Sequence, residues 1–150
     1  MTTCIQHLSR EECLRLLASE RLGRVSLSIG ALPLILPVHY VLHDDHVVLR
    51  IGAGTRLSAA LKGSVVGFEV DGENADATAG WSVLIVGHAV ELRDQQALEE
   101  ARSLALSSWT PGGHDEFVII STTRASGRAF GCPAEPQGLG NESVASHSVA

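Results

Sequence analysis

Near the start of the chain, apolar residues recur with the period of an α-helix. Ser9 and Glu12 have the S-x-x-E spacing of a capping box, which fixes the beginning of a helix. The pattern predicts one helix that ends by Gly23, a residue that commonly stops helices. The apolar face of this helix consists of Cys13, Leu14, Leu16 and Leu17.

After Gly23 the apolar positions alternate with period two, which is typical of β-strands. Pro33 and Pro37 restrict the second strand to an edge or a bulged position, because proline cannot donate to a ladder. Asp44-Asp45 predicts the tip of a hairpin, and Gly87 predicts a bulge or bend. The predicted strands span 24–29, 34–42, 46–51, 64–70, 81–92, 117–122 and 128–130, with short helices over 55–62 and 95–108.

Six or so strands, many of them in hairpins, and two or three short helices predict a mostly β fold that closes as an antiparallel barrel. The alternating β-α-β order of a doubly wound sheet is absent. From residue 132 the composition shifts to Pro, Gly, Ser, Asn and Glu. We therefore predict one domain over residues 1–131 and a disordered tail over 132–150.

Composition and charge exclude several classes of function. The net charge is −6 and aromatic residues make up 4% of the 150 residues, which argues against nucleic-acid binding. Three cysteines without regular spacing do not form a disulfide framework. Neither a signal peptide nor an apolar stretch of about 20 residues is visible. We expect a cytoplasmic protein without a membrane partner.

The segment with the clearest chemical potential is a strand that ends in a Gly-rich turn and opens a helix. Backbone N–H groups at such a junction attract anions, and Arg50 and Arg56 can add charge-assisted hydrogen bonds to phosphate oxygens. The Thr55 hydroxyl can donate as well. In the alternative interpretation, Gly54 is a turn residue, Thr55 is only a helix cap, and both arginines are solvated. The segment matches neither of the two standard nucleotide fingerprints.

Other candidate sites carry weaker signals. Imidazole and carboxylate groups at His39, His43 and His46, with Asp44 and Asp45 between them, could bind a transition metal. Hairpin tips are normally polar and solvated, so we predict no metal site. No serine-hydrolase elbow is present, and no side chain is identified as a general acid or base.

Taken in order, six segments resemble the pyridoxamine 5′-phosphate oxidase-like flavin-binding split barrels. The resemblance covers about residues 8 to 130, and it depends on the order and spacing of the segments rather than on any single motif. The segments are LSREE at 8–12, GRVSL at 23–27, PVHY at 37–40, LRIGAGTR at 49–56, WSVLIVG at 81–87 and TRASGR at 123–128.

The resemblance implies a split β-barrel of about six antiparallel strands that forms a homodimer, with FMN in a groove between the subunits. It implies that the strand end and helix start hold the phosphate, that two residues face the polar edge of the ring, and that two more lie near the flavin. These residues are, respectively, Arg50, Ile51, Thr55 and Arg56; Val38 and His39; and Trp81 and Ser82.

The resemblance also implies an FMN-dependent oxidoreductase acting on an unidentified small substrate. The alternatives are a deazaflavin-dependent reductase, a flavin-binding module without turnover, and a barrel without a cofactor. Two positions depart from the family pattern: Ile51 stands where many relatives have Thr or Ser, and Leu57 where they have a second basic residue. The C-terminal substrate-binding segment of pyridoxamine phosphate oxidases is not recognisable, so that activity is not predicted.

Overall fold

The computed structural model describes residues 4–107 and 114–131; the predicted tail over 132–150 lies outside the described residues. Within these ranges the chain forms eight strands and three helices. In chain order the elements are β1 (Ile5–Leu8), α1 (Arg10–Ser19), β2 (Leu22–Ile29), β3 (Leu32–His43), β4 (His46–Gly52), α2 (Arg56–Leu61), β5 (Val65–Glu73), β6 (Gly80–Glu91), α3 (Gln95–Ser103), β7 (Asp115–Ser121) and β8 (Ala125–Phe130).

Six of the strands close into an antiparallel barrel in the order β6-β5-β2-β3-β4-β7, and β7 pairs back to β6. The closure depends on β6 changing its neighbour along its length: Gly80–Ile85 pairs with β8, whereas Ala89–Glu91 pairs with β7. Gly87 lies at this change, where an added Cβ would be 3.1 Å from the carbonyl oxygen of Ser121. The predicted mostly β barrel with short helices is confirmed.

The core fills the barrel interior and continues under α1. Tyr40 and Phe68, both buried, meet edge to face with ring centroids 4.9 Å apart. The Tyr40 hydroxyl donates to the Leu17 carbonyl oxygen at 2.6 Å, which joins α1 to β3. Burial raises the pKa of Tyr40, so this phenol stays a donor at neutral pH. The helix therefore covers the barrel through both apolar packing and a buried hydrogen bond.

The β3–β4 hairpin has the tip that the sequence predicted. Asp44 and Asp45 have φ values of 46° and 58°, as a two-residue type I′ turn requires. The buried Thr122 fixes this turn, because its hydroxyl donates to the Asp45 carbonyl oxygen at 2.7 Å. Arg10 of α1 in turn donates to the Thr122 hydroxyl at 3.1 Å. The tip is thus held against the body of the barrel.

The two prolines of β3 lie in the half of the strand that pairs only with β2. Leu32–His39 is in register with Ile29–Leu22, whereas the pairing with β4 begins at Tyr40. Among the described residues, no strand pairs with the other edge of this first half. The edge position predicted from Pro33 and Pro37 is therefore confirmed.

Two predictions about element limits were wrong. The first helix ends at Ser19, and Gly23 lies inside β2, where an added Cβ would be 2.4 Å from Cζ of Phe68. This glycine admits a buried ring rather than stopping a helix. The sequence also missed β1, whose residues are mostly exposed and which is held by its pairing with β8. The second long helix ends at Ser103, short of the predicted 108.

The described helices are all too short or too polar to cross a membrane. The cytoplasmic location expected from the sequence stays a prediction.

Candidate functional site

A groove of about 240 Å³ opens where α2 meets the edges of β3 and β4. It gathers five of the eight cofactor residues expected from the sequence, which are Val38 and His39 on β3, Arg50 and Ile51 on β4, and Thr55 before α2. We call it the Arg50 groove. Its remaining lining residues are Leu36, Pro37, Gly52, Leu57 and Ser107.

Thr55 shapes the floor of the Arg50 groove by capping α2. Its Oγ1 accepts from the Ser58 amide at 3.1 Å and donates to the Gly52 carbonyl oxygen at 2.9 Å. The hydroxyl proton is therefore used within the turn, as in the capping interpretation of the sequence. The amides of Arg56 and Leu57 have no acceptor inside the helix, because the first N–H groups of any helix lack one. Donors for an anion at this junction are backbone amides rather than the hydroxyl.

Arg50 is held in place by groups distant in sequence. Its Nε donates to Oδ2 of Asp115 at 2.8 Å, and its Nη2 lies 2.8 Å from the same oxygen. Its Nη1 donates to the Leu106 carbonyl oxygen at 3.0 Å, and its Cζ lies 5.9 Å from the centre of the Phe117 ring. A guanidinium carries five N–H groups, so two of them have no partner among the described residues. With 38% of its side chain exposed, Arg50 can use them toward the groove.

The other three predicted residues lie outside the Arg50 groove of the same chain. Arg56 is exposed, has no hydrogen-bond or ion-pair partner among the described residues, and lies at a second cavity of about 320 Å³. Trp81 lines a third cavity, of about 450 Å³, beside β1 and β8. Ser82 lies in β6 opposite Asp71 and Arg128. One chain alone does not bring Trp81 and Ser82 to Arg50.

A partly buried network fastens α2 to β7. The hydroxyl of Ser58, which is 1% exposed, donates to Oε2 of Glu116 at 2.5 Å, and Nζ of Lys62 lies 2.9 Å from the same oxygen. The hydrogen bond from Ser58, and then that from Lys62, holds the pKa of Glu116 below its ordinary value. The carboxylate likewise raises the pKa of Lys62. This network fixes the helix that carries Thr55.

Sequence reasoning missed Asp115, Glu116 and Ser58. The pattern placed the start of the last barrel strand at Phe117, and nothing local shows that the two preceding acids face Arg50 and α2. The register of β4 with β7, in which Arg50 lies opposite Phe117 and Gly52 opposite Asp115, brings them there. The sequence carried no signal for these contacts, because it did not predict that the two strands are neighbours.

The histidines of the β3–β4 hairpin do not converge as a group. His39 lines the Arg50 groove, whereas Nε2 of His43 lies 3.5 Å from Oδ2 of Asp44 and 3.8 Å from Oε2 of Glu100. The Asp44 and Glu100 side chains are 83% and 52% exposed. Nε2 of His43 is itself enclosed and has no hydrogen-bond partner among the described residues. Glu100, on α3, is a neighbour that the sequence did not reveal.

Comparison with known proteins connects this geometry to a family. The sequence profile of the pyridoxamine 5′-phosphate oxidase family matches residues 9–129. The uncharacterized protein Rv0080 of Mycobacterium tuberculosis is 33% identical over 128 residues, which cover 82% of this chain and 84% of that protein.

Two solved structures share both fold and sequence with this chain. The FAD binding protein from Mycobacterium smegmatis superposes with a TM-score of 0.73 at 33% identity, covering 83% of this chain and 99% of that one. A conserved protein of unknown function from Corynebacterium diphtheriae superposes with a TM-score of 0.71 at 34% identity, covering 84% of this chain and 98% of that one.

The network at Glu116 predicts how stability depends on pH. Because folding lowers the pKa of this carboxyl below its ordinary 4.5, the ionised group stabilises the fold above that value. The stabilisation is lost as the pH falls through the lowered pKa. Replacing Glu116 with Gln should reduce the free energy of unfolding at pH 7 by about 1.5–3 kcal/mol, the range for a hydrogen bond to a charged group.

Urea unfolding from pH 7 down to pH 3 measures both effects, and the variant should lose less stability than the wild type below pH 4.5. Glu99→Gln, on the exposed face of α3, is the matched control. Parallel pH profiles for the wild type and Glu116→Gln would show that the network does not stabilise the fold.

Proposed function

The chain belongs to the pyridoxamine 5′-phosphate oxidase family, and on this premise we propose that it binds a flavin nucleotide whose phosphate lies in the Arg50 groove. The observation that carries the proposal is the convergence of Val38, His39, Arg50, Ile51 and Thr55 on one groove. These residues were expected at a flavin from the sequence, and they come from three separate elements. A relative of known structure at 33% identity is an FAD binding protein.

The donors of the groove suit a phosphate. Arg50 is pre-oriented by Asp115 and Leu106 and keeps two N–H groups, so little side-chain entropy is lost on binding. The amides at the start of α2 supply neutral donors beside it. Ile51 and Leu57, the two departures from the family pattern, line the same groove and offer apolar contact instead of further hydrogen bonds. FMN, expected from the sequence, and FAD both carry a phosphate that these donors could bind.

The proposal predicts that flavin binding depends on Arg50. The wild type mixed with FMN or FAD should retain a flavin absorption spectrum through gel filtration. Arg50→Gln should bind the flavin roughly 10- to 150-fold more weakly, because a charge-assisted hydrogen bond contributes about 1.5–3 kcal/mol. Titration calorimetry gives the dissociation constants.

Arg102→Gln is the matched control, since Arg102 is exposed at the end of α3. Undiminished affinity in Arg50→Gln would place the phosphate elsewhere, and a wild type that retains neither flavin would refute the proposal.

We further propose that the protein is an oxidoreductase. A bound flavin supplies two-electron chemistry, and the chain supplies binding, orientation and exclusion of water. Support comes from family membership and from the apolar lining of the groove next to its polar end. No described side chain is assigned as an acid or base. A flavin-binding module without turnover and a deazaflavin-dependent reductase remain the alternative functions.

The enzyme proposal predicts that a reduced nicotinamide bleaches the bound flavin without oxygen present. Absorbance near the flavin maximum should fall on adding NADPH or NADH and return when air is admitted. Free flavin at the same concentration, mixed with the same donor, is the control. A protein that binds flavin but is not reduced by either donor would favour the binding module, and reduction only by a reduced deazaflavin would favour the second alternative.

We propose that the active form is a homodimer, which the outer face of the β6-β5-β2-β3 sheet supports. Ile35, Val65 and Leu84 are 67%, 59% and 42% exposed on this face. Between them lie the small residues Ser26 and Gly67; a Cβ on Gly67 would be 3.6 Å from that of Ser26 and 3.9 Å from Cδ1 of Leu84. Exposed apolar residues on a flat surface are typical of protein interfaces.

A second copy also accounts for Ser82, one of the residues that lie apart from the groove. Trp81 and Ser82 are on β6, outside the Arg50 groove of their own chain. The family resemblance led us to expect both residues near a flavin held between subunits. In the proposed dimer Ser82, which lies on the same face of β6 as Leu84, reaches the groove of the other chain, whereas Trp81 points to the opposite face and packs against the core of its own chain.

The dimer proposal predicts that Leu84→Arg gives a monomer, because it places a charge on the apolar face. Light scattering coupled to gel filtration measures the mass directly, with 15.8 kDa expected for one chain. Ala18→Arg, at an exposed position on α1, which packs against the opposite face of β8, is the control and should keep the wild-type mass. A wild type that is monomeric, with or without flavin, would contradict the proposal.

A further inference from the structure

An apolar cavity of about 320 Å³ continues the Arg50 groove past α2. Its lining is Ile29, Leu32, Leu34, Leu36, Arg56 and Leu57, and we call it the leucine cavity. Leu36 and Leu57 also line the Arg50 groove, so the two spaces are adjacent and share a wall. A ligand that starts at Arg50 can therefore extend across Leu36 and Leu57 into the leucine cavity.

The leucine cavity exposes apolar surface that the fold itself does not cover. Leu34 pairs with Leu27 and Leu32 with Ile29 across the β2–β3 ladder, which continues the inward-facing row of Val38 beyond the end of the barrel. Leu32 is nonetheless 70% exposed and Leu34 37% exposed. Burying these side chains under a flat apolar group is favourable. None of the described residues of the chain supplies an apolar group that covers these side chains.

Arg56 is the single charged residue that lines the leucine cavity. It has no hydrogen-bond or ion-pair partner among the described residues, unlike Arg50. An arginine can grip a phosphate with its forked N–H groups, and it can stack on an aromatic ring. The boundary between the groove and the cavity therefore carries a second cation, one residue along from Thr55.

The charge beside Arg50 favours a diphosphate, in which each phosphate carries one charge, over a phosphomonoester. Asp115 already compensates part of the Arg50 charge, at 2.8 Å from both Nε and Nη2. A phosphomonoester such as that of FMN carries a charge of about −1.5 to −2 at pH 7. Each phosphate of a dinucleotide diphosphate carries one negative charge, so it is repelled less by Asp115. Two phosphates with one charge each also match two arginines in sequence along the groove.

We infer that the leucine cavity binds the adenosine half of FAD, with one phosphate at Arg50 and the other at Arg56, so that the protein prefers FAD to FMN. The inference rests on the proposed flavin function and names the ligand of that site. Volume agrees with it, because pockets for organic ligands span about 300–1,000 Å³. The Arg50 groove alone, at about 240 Å³, falls below that range, and the groove and cavity together fall within it.

The test compares the affinities of FAD and FMN by titration calorimetry in the wild type and in matched variants of β3. The wild type should bind FAD at least ten times more tightly than FMN. Leu34→Ser should lose most of that preference while its FMN affinity stays unchanged. Ile35→Ser is the control, because Ile35 is the next residue, is 67% exposed and faces the opposite side of the strand. Because Ile35 also lies on the proposed dimer face, its substitution can alter both affinities together, but it should keep the wild-type ratio of FAD to FMN affinity.

Arg56→Gln supplies a second variant and should weaken FAD more than FMN. Circular dichroism melting confirms that each variant is folded. Equal affinity for FAD and FMN in the wild type, or a full FAD preference retained in Leu34→Ser, would overturn the adenosine site while leaving flavin binding intact. Failure of the wild type to bind either nucleotide would overturn the proposed function and this inference together.

Discussion

The pairing of β4 with β7 is the interaction on which the barrel and the candidate site both depend. It completes the closed sheet together with the β6–β7 contact, and it sets Arg50 opposite Phe117 and Gly52 opposite Asp115. In this register Asp115 is close enough to orient the Arg50 guanidinium. A shift of one residue would turn every side chain of β7 to the other face and separate that pair. The strand register that packs the barrel core therefore also sets the positions of the side chains in the Arg50 groove.

Arg50 illustrates how a charged side chain can be fixed in one orientation and still offer hydrogen-bond donors to a ligand. Asp115 and the Leu106 carbonyl oxygen restrict Arg50 without using all of its donors. The hydrogen bond from Ser58 to Glu116 likewise restricts α2. The turn at Thr55 therefore has a fixed position relative to β4. Preorganisation of this kind reduces the entropy lost when a ligand binds. The cost is that Asp115 limits how much negative charge the groove can accept.

The β2–β3 hairpin serves two proposed contacts through the two faces of one ladder. Leu32, Leu34 and Leu36 lie on the face that continues the barrel core, and they line the leucine cavity. Ile35 points to the opposite face, where Val65 and Leu84 are also exposed. Because side chains alternate along a strand, neighbouring residues of β3 can be assigned to ligand and partner separately. This separation is what makes Leu34 and Ile35 a matched pair for experiment.

The sequence by itself determined the local structure, because capping boxes, turns and alternation depend on neighbours within a few residues. It predicted the start of α1 at Ser9, the Asp44-Asp45 hairpin tip, the Thr55 cap and the barrel class. It also selected five residues that share the Arg50 groove. The tertiary structure decided the rest: that Gly23 makes room for Phe68, that Asp115 pairs with Arg50, that Glu116 holds α2, and that Trp81 lies apart from the groove. The three contacts depend on how strands pair that are far apart in the sequence. Their partners are separated by 45 to 65 positions along the chain, and no local pattern encodes such a pairing.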